Sequence, residues 1–254
     1  MEDYKLSEQK HYSKLYSKGE ENSRAIYRTS FLRESEATFQ ELIKFYCTDK
    51  RVLEIGCGLA KHGFLAANLN NEVVAIDITF EALRNVKSKI QENLKVGKLD
   101  VCLMDIEKLS FKDEVFDVVI EHEVFSSINL EKAFPELLRV LKPGGCIIGI
   151  ETFGHNPIFN LKRKLNYLSG KRSKWVVSHI LTTKDLDFIN ASTAKCKTQY
   201  FHIVSALLSP LAVLPIGWLM NSIVRFTEVV DRFLLKIPFL KKHAFKVVFC
   251  AFKV

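Results

Sequence analysis

The sequence predicts an α/β fold, a mostly parallel, doubly wound sheet with helices on both faces. Three observations carry this. From residue 36 to about 151, short continuous apolar runs alternate with stretches of helical periodicity. The first run empties into a glycine turn, Gly56-Cys57-Gly58, just before a helical stretch, and the second run ends in an acid, Asp77. Strands that read as unbroken apolar runs are buried on both faces, and alternation with helices supplies the cover.

Taken in order, Glu36 to Tyr46 reads as a helix and Arg51 to Ile55 as a buried strand. A helix over about Lys61 to Leu69 follows, then a strand over Glu72 to Ile76. Phe80, Leu83, Val86 and Ile90 repeat at the spacing of one helix face. Leu99 to Leu103 and Phe116 to Ile120 are the next strands. Leu130 to Leu141 is a helix stopped by Lys142-Pro143-Gly144-Gly145, and Cys146 to Ile150 is a further apolar strand. Residues 152–174 read as a basic loop region. Thr183 to Ala191 is a helix with Asp185 and Asp187 suited to its first turn. Thr198 to Val204 and Ala244 to Phe252 read as strands, separated by a long apolar insertion.

The bulk numbers exclude several classes. With 48% hydrophobic and 26% charged residues among 254, the chain can bury one large core. The six cysteines are scattered without a C-x-x-C pair or a His/Cys cluster, which argues for free thiols and against a disulfide framework or a metal site. Met1 to Lys10 is polar and lacks the apolar core of a secretory leader. The expected location is the cytoplasm, at most peripheral at the inner face of a membrane. The net charge of +8 is concentrated near Lys162 to Lys174 and at Lys241 and Lys242, where it suits phosphate-bearing surfaces.

Ligands of doubly wound sheets sit beyond the carboxyl ends of the strands. A glycine turn there lets backbone approach a ligand, and an acid closing the next strand can accept both hydroxyls of a ribose. NAD uses the same devices, but its fingerprint requires a third small residue where this chain has Lys61. A pyrophosphate needs that tight approach. A sulfonium cofactor does not, and Glu54 is a candidate partner for its ammonium group.

The stretch Val52-Leu53-Glu54-Ile55-Gly56-Cys57-Gly58 resembles the first motif of class I S-adenosylmethionine-dependent methyltransferases. Ala75-Ile76-Asp77-Ile78 is similar to their second and Met104-Asp105-Ile106-Glu107 to their third. Phe116-Asp117-Val118-Val119 and Arg139 to Gly145 match the fourth strand and the loop before the fifth. The resemblance is to the small-molecule members of the ubiquinone and menaquinone methyltransferase-like group. It implies a seven-stranded sheet of order 3-2-1-4-5-7-6, with a hydrophobic helical insertion before the last strand. It also implies S-adenosylmethionine as cofactor, S-adenosylhomocysteine as product and no metal. Glu54, Gly56, Cys57, Gly58, Asp77, Ile78, Asp105, Ile106 and Glu121 are the cofactor residues expected on this basis. The His-His pair that follows the fourth strand in many such enzymes is replaced by Val124-Phe125-Ser126-Ser127-Ile128.

Methyl transfer from a sulfonium needs mainly alignment, and a base only where the nucleophile must lose a proton. His122 is the first candidate base, followed by Glu151 and His155. Glu151 to Pro157, with the later His179-Ile180-Leu181, resembles a segment of some bacterial methyltransferases that shapes the acceptor pocket. The motifs of base-modifying nucleic-acid methylases are absent, so a small molecule is the expected acceptor.

The expected domains are a helical cap over residues 1–35, a core over 36–204, an apolar insertion over 205–243 and a final strand over 244–254. Tyr12, Tyr16, Tyr27 and Arg28 of the cap are expected to face the cofactor. The insertion contains most of a run of 27 residues, Thr198 to Val224, free of charged side chains. Pro210 and Pro215 break it, and a single membrane crossing would leave strands of one sheet on opposite sides of the bilayer. It therefore reads as a lid over the pocket or as a hairpin resting in one leaflet. Its interleaved cations and aromatics suit a membrane surface, and either arrangement suits an apolar or amphipathic, lipid-like acceptor.

Overall fold

The computed structural model describes residues 3–17, 31–168, 174–208 and 217–254. Tyr27 and Arg28, Lys171 and Arg172, and Pro210 and Pro215 lie outside them.

The elements run α1 (Asp3–Ser17), α2 (Arg33–Tyr46), β1 (Arg51–Ile55), α3 (Lys61–Ala67), β2 (Glu72–Asp77), α4 (Phe80–Asn93) and β3 (Lys98–Leu103). There follow β4 (Phe116–His122), α5 (Leu130–Val140), β5 (Leu141–Thr152), α6 (Pro157–Leu168), α7 (Lys174–Ser178), α8 (Thr183–Ala191), β6 (Lys195–Phe201), α9 (Gly217–Leu234) and β7 (Lys246–Phe252). The seven strands form one sheet of order β3-β2-β1-β4-β5-β7-β6, as the resemblance implies. All neighbours are parallel except β7, which runs antiparallel to β5 and β6.

Each face of the sheet has its own core. Leu53, Ile55, Val119, Ile147 and Phe249 pack with Phe134 and Leu137 of α5 on one side. Val52, Val118, Ile148 and Val248 pack with Phe39 of α2 and Leu83 of α4 on the other. Helix α5 presents Ala133, Phe134, Leu137 and Val140 to the sheet, and Asn129 caps it by accepting the Lys132 amide proton. In α8 the Asp185 carboxylate accepts from both the amide and the hydroxyl of Thr182, fixing the first turn.

Two sequence readings are corrected. Within the region read as a basic loop, Pro157–Leu168 forms a helix. Pro157 opens α6, a position where its missing N–H costs nothing, and Leu161, Leu165 and Leu168 recur at helical spacing among the cations of the sequence. The Lys142-Pro143-Gly144-Gly145 run ends helix α5 but lies within β5. The ladder with β4 shifts between Phe116 and Val118, and Gly144 takes a positive φ of 73°.

Four of the cysteines are buried and none is paired among the described residues. No described helix is long and apolar enough to cross a membrane.

Candidate functional site

The register puts Ile55 opposite both Ile76 and Glu121, so the turn after β1 lies between the ends of β2 and β4. Gly56 and Gly58 take φ of +54° and +52°, a region in which a side chain is strained. A Cβ at Gly56 would press into Val124, and one at Gly58 would collide with the Tyr16 hydroxyl. The turn is fastened to β2 by the Cys57 amide donating to the Ile76 carbonyl and the Gly58 amide donating to Asp77 Oδ2 at 2.9 Å. Asp77 Oδ1 accepts from the amide and hydroxyl of Thr79. Asp77 is in turn tied to β3 through its carbonyl, which accepts from the Met104 amide. Asp105 and the buried Ile106 follow directly.

Helix α1 roofs this arc. Tyr16 stands over Gly58, Gln9 donates to the Ile78 carbonyl, and Lys5 bonds Asp105 at 2.7 Å. Tyr4 donates to Glu107 and stacks on Trp175 of α7, whose ring also stacks on His179. Tyr16 belongs to the segment expected as a helical cap, whereas Lys5, Tyr4 and Gln9 carry no local signal in the sequence.

Beside the turn, at the end of β4, lies a second cluster. His122 Nε2 bonds Glu36 Oε1 of α2 at 3.0 Å, and its ring stacks on His62 of α3 with centroids 4.6 Å apart. Burial pushes the Glu36 acid up, but the hydrogen bond and charge of His122, with Lys246 and Lys61, outweigh this and hold it at about 2. Desolvation lowers His62 to about 3, so its imidazole is neutral. Glu36, His62 and His122 each offer a donor atom within 4.8 Å of the others, the one such grouping among the described residues. Lys61 stands 3.8 Å from Glu36, which works against a cation there. The next residue, Glu123, takes a positive φ of 57° and ion-pairs with the buried Lys246 of β7.

Four further sequence candidates are engaged within the fold. Glu121 and Glu151 are fully buried near the ends of β4 and β5. Glu121 accepts from the Val124 amide and Glu151 from the Phe125 amide, so the pair shapes the turn after β4. Desolvation raises both, and the hydrogen bond between them raises Glu121 further while opposing the rise at Glu151. In a strand buried on both faces, an acid at the carboxyl end is legible but its direction is not. His155 accepts from the Thr183 amide at the head of α8, an anchoring contact. The related segments do meet, as Gly154 donates to the Leu181 carbonyl. Glu54 is buried against the first turn of α3, where desolvation pushes its acid up to about 8 against the opposing amides of Gly63 and His62. Its contacts in the structure are with that helix start. Burial also pushes the Cys57 thiol well above its ordinary range.

The chain is similar to several known proteins. Residues 53–149 match the family described as methyltransferase domain. A malonyl-[acyl-carrier protein] O-methyltransferase of Ilyobacter polytropus is 31% identical over 140 residues, 53% of this chain and 47% of its own. A demethylmenaquinone methyltransferase of Leptospira interrogans is 29% identical over 133 residues, 50% and 49% of the two chains. The chain spans about half the length of the curated relatives it matches. Among solved structures, geranyl diphosphate C-methyltransferase of Streptomyces coelicolor superposes with a TM-score of 0.57 at 14% identity, covering 88% of this chain and 81% of that one.

Proposed function

We propose that this chain, whose residues 53–149 belong to the methyltransferase-domain family within the seven-stranded fold of class I S-adenosylmethionine-dependent methyltransferases, methylates a small apolar or amphipathic acceptor. The observation that carries the reading is the arc of Gly58, Asp77 and Asp105, joined by the Gly58-to-Asp77 and Met104-to-Asp77 hydrogen bonds with Asp105 next to Met104 in the chain. A turn that a Cβ would block, an acid with spare acceptor capacity on Oδ2 and a second acid one strand away fit an adenosine. Asp77 would hold the ribose, Asp105 and Ile106 the adenine, and Gly56 and Gly58 the methionine limb. Lys61 stands where a dinucleotide fold needs a small residue, which disfavours NAD.

S-adenosylmethionine supplies an activated methyl group on a sulfonium, so an in-line displacement needs no metal and no electron transfer. The chain supplies alignment and water exclusion, with α1 and α7 covering the arc. With Nε2–H donating to Glu36, His122 Nδ1 carries a lone pair for the proton of a hydroxyl or acidic carbon. Glu36, anionic throughout the working range, steadies the imidazolium that results. The demethylmenaquinone and geranyl diphosphate named in the matched proteins support an apolar acceptor.

Methyl-labelled S-adenosylmethionine incubated with quinols, prenyl diphosphates, long-chain acids and polar amines tests this. Label should pass to one of the apolar classes. Transfer to the polar amines alone, or to nothing, counts against the reading.

A further inference from the structure

Helix α9 is turned the wrong way for a water-facing surface helix. Such a helix hides its apolar stripe and shows its charges. Here the inward face carries Val224, Thr227, Glu228 and Asp231, while Phe226, Val229 and Phe233 stand 70%, 48% and 65% exposed. The inward acids hold the helix to its neighbours: Glu228 accepts from Arg33 of α2 through Oε2, and Asp231 accepts from the Ser205 hydroxyl and the Val204 amide. The following 3₁₀ turn (Pro238–His243) continues the pattern, with Phe239 67% exposed.

Charge is sorted in the same way. Glu228 and Asp231 are the only acids from 217 to 243, and both are buried. The bases Arg225, Lys236, Lys241 and Lys242 are all exposed, and Arg232 is largely so despite its bond to Glu34. Lys236 sits over the Phe233 ring at 5.2 Å, keeping cation and aromatic side by side.

We infer that this face of α9 and the 3₁₀ turn rests on an anionic lipid surface, aromatics in the acyl boundary and cations at the headgroup phosphates. Pairing with a second copy of the chain would set like charges against like, which disfavours self-association as the reason for the exposed rings. The placement goes beyond the methyl-transfer reading and has a use for it. The turn leads through Ala244 and Phe245 into Lys246, which pairs with Thr152 at the end of β5 beside the His122 cluster. An acceptor dissolved in the bilayer would meet the site from this edge.

Sedimentation of the full chain with vesicles of phosphatidylcholine, alone or with 30% phosphatidylglycerol, tests the inference. Binding should require the anionic lipid, fall steeply with salt, and drop at least tenfold in Phe226→Ser/Phe233→Ser/Phe239→Ser. It should drop comparably in Arg225→Gln/Lys236→Gln/Lys241→Gln/Lys242→Gln. These side chains are exposed, so both variants should keep the wild-type circular dichroism spectrum. Failure of the wild type to bind, or undiminished binding by folded variants, overturns the inference. So does a wild-type dimer in analytical ultracentrifugation that the serine variant dissolves. Calorimetry with S-adenosylhomocysteine on the same samples keeps the two proposals separable, since vesicle binding without cofactor binding would sink only the functional reading.

Discussion

Both oxygens of Asp77 are engaged before any ligand arrives, one by the Gly58 amide and the other by Thr79. That preorganises the proposed site, whose candidate residues close three strands and are legible because glycine turns and strand-end acids leave local marks. His122 was legible in the same way. Its partners were not: Glu36 lies 86 positions away on a helix whose polar face looks like any solvated one, and His62 looks like an ordinary residue of a helix start. Only the folded chain brings them together. If His122 carries the acceptor's proton, His122→Gln should lower turnover by about a hundredfold or more while leaving S-adenosylhomocysteine affinity unchanged. A steady-state assay paired with calorimetry checks this, and a wild-type rate in the variant would return His122 to a packing role.

At the scale of elements, β5 shows how tightly the sheet is built. Gly149 lies opposite Phe249 of β7, and a Cβ there would collide with that ring and press on Glu121. Gly149→Ala should therefore cost about 1–3 kcal/mol by overpacking, read as a lower midpoint in urea unfolding. An unchanged midpoint would mean the Phe249 ring has room to move. The strands themselves were readable because buried parallel strands are compact apolar runs. Helix α6 was not read, since the cations of residues 162–164 masked the Leu161, Leu165 and Leu168 spacing. Helix α9 was recognised as apolar, but composition does not say which way a helix faces, and its orientation follows from contacts with α2 and the turn at Ser205.

For the molecule as a whole, strand order came from motif order, because the connections that close the sheet are set by the fold and not by any one segment. Buried titratable groups give this fold a pH signature. Desolvation holds His62 and His202 at about 3, against an ordinary 6.5. Above about pH 6.5 both are neutral folded or unfolded. As the pH falls from there towards 3, the unfolded chain binds protons that the fold refuses, and stability is lost. Glu54 acts in the opposite sense. Held near 8, it keeps its proton in the fold while the unfolded chain sheds one above about 4.5, so stability declines as pH rises from 4.5 to 8. Thermal unfolding should therefore peak at mildly acid pH. His202 bridges Ser35 of α2 and Ser205 with a positive φ of 64°, which asparagine tolerates, so His202→Asn should flatten the acid limb between pH 6.5 and 4. Parallel curves for the two proteins would place the acid sensitivity elsewhere.

The most direct measurement is a calorimetric titration of the purified chain with S-adenosylhomocysteine and, separately, with NAD⁺, repeated on Asp77→Asn. One molecule of S-adenosylhomocysteine should bind per chain, at least tenfold more weakly in the variant, and NAD⁺ should give no heat of binding. No binding of S-adenosylhomocysteine, equal binding by the variant, or a preference for NAD⁺ would contradict the assignment of the Gly58, Asp77 and Asp105 arc.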